Sequence, residues 1–244
     1  MHTQNISLIC FPHAGGSNAT YNGWGSRLSE IIRIIKPGCF DRPAQRATFT
    51  DVDSLTAHIA EQLSHESQPL ALYGHSMGAV LAYEVARKLS IRNTVQVAHL
   101  FVSGRRAPQL PARMAPIHEL SDQAFLNELM TFGGVPDAIG TNSRLWNKFL
   151  PIIRSDLARL ETYQFHPTHT LICPISAIYA THDHMVETDE LMAWQERTTG
   201  DFNFHELSGN HFFHSSPSQG LIDIIHHSLS AQSTRRVECK SSVR

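Results

Sequence analysis

Ser76 stands in Gly74-His75-Ser76-Met77-Gly78, between the apolar run Leu70–Tyr73 and a stretch, Met77–Leu89, with no helix breaker after Gly78. A serine on a sharp strand-to-helix turn presents its hydroxyl for nucleophilic attack. Glycines on either side remove the Cβ atoms that would clash where the chain passes close. Average glycine and serine usage produces the five-residue pattern by chance in roughly 5–10% of chains this long. The weight therefore rests on the flanking strand and helix, which are the context the motif requires.

A serine hydroxyl needs a general base, and the base needs an orienting carboxylate. Several histidines follow Ser76. His211 lies in Gly209-Asn210-His211-Phe212-Phe213, directly after the strand pattern Phe202–Leu207. That places it at the carboxyl edge of a sheet, where ligands bind in open α/β folds. His205 falls inside that strand, and His214 lacks the glycine that frees the loop. Asp183, in Thr181-His182-Asp183-His184, follows the strand pattern Ile175–Ala180 and reaches the same edge. Asp189 falls in the next helical pattern and Asp201 precedes the last strand. An aspartate at position 183 also suits a helix N-cap. The order serine, acid, histidine is that of the α/β-hydrolase fold. Its oxyanion hole takes the backbone N–H of the residue after the nucleophile, here Met77. A second N–H comes from the loop after the first strand, where His13-Ala14-Gly15-Gly16 stands.

The elements that must hold these loops alternate. Strand patterns occur at Ile6–Phe11, Ile31–Ile35, Leu70–Tyr73, Val97–Val102, Ile175–Ala180 and Phe202–Leu207. Helical patterns occur from Asp53, over Met77–Leu89, Glu187–Arg197 and Gln219–Leu229. Such alternation predicts a mostly parallel sheet with helices on both faces. From Pro108 to about Phe165 only helical patterns appear, such as Asp122–Phe132 and Arg144–Tyr163. This insertion reads as a helical lid, with Gly133-Gly134 before Val135-Pro136 as a candidate hinge. Residues 1–230 form one domain in this reading, and 231–244 a polar tail.

Composition narrows the function. With 41% hydrophobic and 17% charged residues among 244, the chain can bury a full core. A formal net charge of −2 gives no electrostatic case for nucleic acid or an anionic membrane as partner. The 16 histidines are scattered, and no His/Cys group has zinc-ligand spacing. No metal or cofactor is implied. Cys10, Cys39, Cys173 and Cys239 form no disulfide framework, and Cys10 and Cys173 sit in apolar runs that suggest burial. No signal peptide or membrane-spanning run is present, so the reducing cytoplasm is the expected compartment. Nothing demands more than a monomer.

The chain resembles the stand-alone type II thioesterases of nonribosomal peptide and polyketide synthesis over roughly Ile6 to Leu229. The resemblance rests on Phe11-Pro12-His13-Ala14-Gly15-Gly16-Ser17, Tyr73-Gly74-His75-Ser76-Met77-Gly78-Ala79 and Ser103-Gly104-Arg105-Arg106-Ala107-Pro108. It continues in Leu150-Pro151-Ile152-Ile153-Arg154-Ser155-Asp156, Ala180-Thr181-His182-Asp183, Trp194 and Gly209-Asn210-His211-Phe212-Phe213. It implies a triad of Ser76, Asp183 and His211, an oxyanion hole from the amides of Ala14 and Met77, and a lid over the site. It further implies hydrolysis of stalled acyl groups from the phosphopantetheinyl arms of acyl or peptidyl carrier proteins. Arg105 and Arg106 are candidates for the arm's phosphate or for carrier carboxylates, and equally for an ion pair with the lid or Asp156. His214 stands where the family usually has leucine. The rival readings are a carboxylesterase or lipase acting on free esters, an acyltransferase, and a non-catalytic hydrolase-fold binding protein.

Overall fold

The structure, a computed structural model, describes residues 5–28, 31–133, 143–167, 169–215 and 218–241. Its strands are β1 (Ile6–Phe11), β2 (Ile32–Ile35), β3 (Leu70–His75), β4 (Val97–Ser103), β5 (Ile175–His182) and β6 (Phe202–Asn210). Its helices are α1 (Pro43–Arg46), α2 (Val52–Leu63), α3 (Met77–Arg92), α4 (Asp122–Thr131), α5 (Ser143–Glu161), α6 (Thr188–Met192) and α7 (Gln219–Ser241). The six strands form one sheet in the order β2-β1-β3-β4-β5-β6, and every pairing is parallel.

Every residue of β1 and β3 is buried. That is why both read as unbroken apolar runs: a parallel strand covered on both faces has no solvent side. The period of two still sorts the side chains. Ile9, Phe11, Leu70 and Leu72 pack with α2 and α3, whereas Leu8, Cys10, Ala71 and Tyr73 pack with Tyr21, Trp24 and α7. The outer strand β6 alternates half-buried with exposed residues over most of its length. The sequence order reverses at β1, which lies between β2 and β3, so the crevice at the carboxyl ends of β1 and β3 is a topological switch point.

The insertion between β4 and β5 is helical as expected. Ile117, Phe125, Leu129, Trp146 and Leu150 form its own small core. The Arg154 guanidinium lies 4.1 Å above the Phe125 ring. Gly133 ends α4 with φ +69 and nothing within 4 Å of a Cβ placed there. Gly134, Val135 and Pro136 of the expected hinge lie outside the described residues.

The largest departures from the expected boundaries lie in the last third of the chain. The helix expected over Glu187–Arg197 is a short α6 followed by a 3₁₀ turn, Ala193–Arg197. The turn winds tighter and seats Trp194 in the core. The last strand extends to Asn210, and α7 runs past Leu229 to Ser241, into residues expected as tail. Cys10, Cys39 and Cys173 are free and buried. No helix among the described residues is long and apolar enough to cross a membrane.

Candidate active site

Ser76 caps α3 with φ 54 and ψ −118, a strained conformation for a residue with a side chain. The geometry explains both flanking glycines. A Cβ on Gly74 would lie 2.1 Å from the carbonyl oxygen of Gly78, and one on Gly78 would lie 2.0 Å from that of Phe11. Both obstacles are backbone and cannot rotate away. The second contact also brings the end of β1, and hence the His13–Gly16 loop, against the first turn of α3.

His211 and Asp183 meet at the same edge. His211 Nδ1 lies 2.8 Å from Asp183 Oδ2, and the Met185 amide donates to Asp183 Oδ1 at 2.8 Å. Both residues are buried. Two oxygens held by two donors fix the carboxylate plane, and through it the imidazole. Gly104, at φ 58, lets the imidazole pack against backbone, since a Cβ there would stand 3.1 Å from His211 Cε1. Ser76, His211 and Ala14 line one cavity of about 460 Å³, together with Leu129, Phe132 and Leu157 of the insertion.

None of the alternative bases and acids lines that cavity. His214 is fully buried, stacked on His75 at 3.7 Å and 3.1 Å from His13 Nδ1. His205 sits within β6, while Asp189 and Asp201 are exposed. Asp183 is not a helix cap, because Glu187 caps α6.

The loop carrying Ala14 is tied down by a buried ionic group. Asp156 Oδ2 accepts the Gly15 amide at 2.8 Å, and Arg46 Nη1 donates to the Gly16 carbonyl at 2.9 Å. Asp156 in turn lies 3.3 Å from Arg46 and 2.9 Å from Arg159. Arg159 also donates to the carbonyls of Arg46 and Phe49, at 2.8 and 2.6 Å. Burial pushes the Asp156 carboxyl upward, against the pull of Arg46, the Gly15 amide and Arg159. Gly15 has φ +77, and a Cβ there would strike Ile153 Cγ1 at 2.4 Å, so α5 presses directly on this loop. Met77, the other expected donor, is the first residue of α3, where helical amides have no intrahelical acceptor.

Sequence reasoning did not find this group, nor the packed imidazoles beside His211. His13, His75 and His214 touch one another, and His75 Nδ1 lies 2.9 Å from Ser103 Oγ. Burial, with the nearby imidazoles adding to it, pushes His13 down to about 4 and holds His75 and His214 well below the usual range. The sign follows by linkage. As pH falls through 6.5 the unfolded chain binds protons on these rings and the folded chain does not, so stability is lost. For His13 the loss continues until the folded ring protonates near 4. Each ring contributes a slope of roughly 1 kcal/mol per pH unit at its steepest. Melting temperature is therefore expected to fall steadily from pH 7 to 5, and His214→Leu should make that fall shallower. An unchanged slope in the variant would show that His214 takes no part.

A family model described as "Thioesterase domain" matches residues 6–229. Thioesterase PikA5 of Streptomyces venezuelae is 36% identical over 214 residues, 85% of this chain and 75% of its own. A Brevibacillus parabrevis protein named linear gramicidin dehydrogenase LgrE is 33% identical over 231 residues, 92% of this chain and 88% of its own. Among solved structures, the RedJ thioesterase of the prodiginine pathway in Streptomyces coelicolor superposes with a TM-score of 0.82. It is 36% identical, with 92% of this chain and 86% of RedJ covered.

Proposed function

The chain belongs to the thioesterase family, and on that premise we propose that it hydrolyses acyl thioesters from the phosphopantetheinyl arms of carrier proteins in nonribosomal peptide or polyketide assembly lines. The observation that carries the reading is the meeting of three groups at one cavity. These are a strained serine, a histidine held by a buried aspartate at 2.8 Å, and a glycine loop braced against the serine's helix. A relative named as a gramicidin S biosynthesis protein, and solved structures of type II thioesterases from the borrelidin and yersiniabactin pathways, support the choice of pathway. What these residues offer is an attacking hydroxyl with its base and acid, the equipment of acyl transfer and not of hydride transfer.

Ser76 Oγ attacks the thioester carbonyl carbon while its proton passes to His211 Nε2. Asp183 keeps the Nδ1–H of His211 aligned and stabilises the imidazolium. The tetrahedral oxyanion is held by the amides of Ala14 and Met77. Its collapse breaks the carbon–sulfur bond, and the arm leaves as a thiol with the proton from His211. A thiol has a pKa near 8.5, so it departs far more readily than an alkoxide. Water, deprotonated by His211, then attacks the acyl-serine, releasing a carboxylic acid and restoring Ser76. The described part of the insertion between β4 and β5 serves as the lid, and its apolar side chains Leu129, Phe132 and Leu157, which line the cavity, receive the acyl chain.

A panel of acyl groups loaded on carrier proteins, followed by intact-protein mass spectrometry, tests the reading. Loss of the acyl mass with return of the free thiol is expected across several chain lengths. Faster hydrolysis of nitrophenyl esters than of carrier thioesters of equal chain length would favour a carboxylesterase instead. Transfer to an added alcohol or amine in preference to water would mark an acyltransferase.

A further inference from the structure

Among the described residues, three arginines line the cavity that holds Ser76: Arg105, Arg106 and Arg113. Two of them have carboxylate partners. Arg106 lies 2.9 Å from Glu190 Oε1, and Arg113 lies 3.2 Å from the other oxygen of Glu190 and 3.5 Å from Glu187. The alternative of an ion pair with Asp156 is not formed, because that carboxylate is taken by Arg46 and Arg159. Arg105 differs. Among the described residues no carboxylate lies within ion-pair distance of its guanidinium, and its Nε is buried without a hydrogen-bond partner. The Glu161 carboxylate, which also lines the cavity, is engaged by the Ile117 and His118 amides and the His118 ring.

Arg105 is nonetheless firmly placed. Its carbonyl accepts the indole N–H of buried Trp194 at 2.8 Å, and the preceding Gly104 packs on the catalytic-edge histidines. It stands just past β4, which pairs directly with β3, the strand that delivers Ser76. A buried guanidinium N–H left without an acceptor, as at Arg105 Nε, is unfavourable, and an anionic oxygen would satisfy it. Burial, with Arg106 beside it, depresses Arg105 to about 10 against the weaker pull of Glu161 and Glu190, and a bound anion would add to that pull.

We propose that Arg105 is a substrate-recognition residue that binds an anionic oxygen group of the thioester, a phosphate ester or a carboxylate, while the thioester carbonyl sits at Ser76. The inference rests on the thioesterase reading above. The planar fork of arginine suits both groups, which present two oxygens side by side. The substrate offers two sources: the phosphate of the pantetheine arm, and a carboxylate at the far end of a dicarboxylic acyl group.

Two ratios of kcat/KM separate them. The first compares acetyl-phosphopantetheine with acetyl-pantetheine, which differ only in the phosphate. The second compares the malonyl and acetyl thioesters of N-acetylcysteamine, which differ only in the carboxylate. Each is measured in the wild type, Arg105→Gln and Arg105→Lys. A ratio cancels the fraction of active enzyme, so partial misfolding of a variant does not disturb it. In Arg105→Gln one ratio is expected to fall roughly 10- to 100-fold, with a smaller fall in Arg105→Lys, which keeps the charge but not the fork. A fall in the first assigns the phosphate and a fall in the second the carboxylate. Both ratios within about twofold of wild type in Arg105→Gln would overturn the assignment. A wild type that hydrolyses none of the four would instead overturn the thioesterase reading itself.

Discussion

Ser76→Ala is expected to abolish turnover of every thioester while leaving the melting temperature nearly unchanged. The hydroxyl is the proposed attacking group, and alanine occupies the same backbone conformation. Asp183→Asn should lower kcat by about 10⁴-fold, because an amide at Oδ2 no longer holds the Nδ1–H tautomer of His211. The three residues act as a unit, so Ser76→Ala combined with Asp183→Asn should be no worse than Ser76→Ala alone. Ser76→Gly adds a test of the elbow. At φ 54 and ψ −118 the serine stores strain of order 1–3 kcal/mol, which glycine relieves against roughly 1 kcal/mol of added chain entropy. An inactive enzyme that melts at or above the wild-type temperature is the expected result. Near-full activity of Asp183→Asn in steady-state assays would show that another carboxylate orients the base.

The parts of this site that were legible in the sequence share one property: each is local. Ser76, Asp183 and His211 all sit within a few residues of a strand's carboxyl end, and two are flanked by glycines that a turn requires. The strands themselves were legible because burial on both faces leaves an unbroken apolar run, as in Ile6–Phe11. What stayed hidden is long-range. Gly15 and Asp156 are 141 positions apart, and Phe49 and Arg159 are 110 apart, so no period or spacing signals their pairing. The histidine stack is hidden for the same reason, since His13 and His214 stand 201 positions apart. The 3₁₀ turn at Ala193–Arg197 escaped because the fit of Trp194 into the core sets its winding, and its apolar pattern still reads as helix.

That hidden ionic group yields the second large effect. Asp156, Arg46 and Arg159 have side chains exposed by no more than 3%, so two guanidinium groups share one carboxylate away from water. Asp156→Asn keeps the shape and can still accept the Gly15 amide, but it leaves both cations without a counter-charge. Removing one partner from a buried ionic group typically costs about 3–5 kcal/mol, because the remaining charge is stranded. In a domain of this size that corresponds to a fall in melting temperature of roughly 10 °C. Asp156→Ala goes further and also frees the Gly15 amide, loosening the loop that presents the Ala14 N–H. Loss of one oxyanion donor typically lowers kcat by about 10²–10³-fold. The two variants together separate support of the fold from support of catalysis. Asp156→Asn should lose stability and, assayed well below its melting temperature, retain most of its kcat. Asp156→Ala should lose both, with KM for a small thioester little changed, since the donor acts on charge that develops only in the transition state. If kcat in both variants matched wild type at low temperature, Asp156 would brace the fold alone, and the Ala14 amide would need no help from α5 to hold its place.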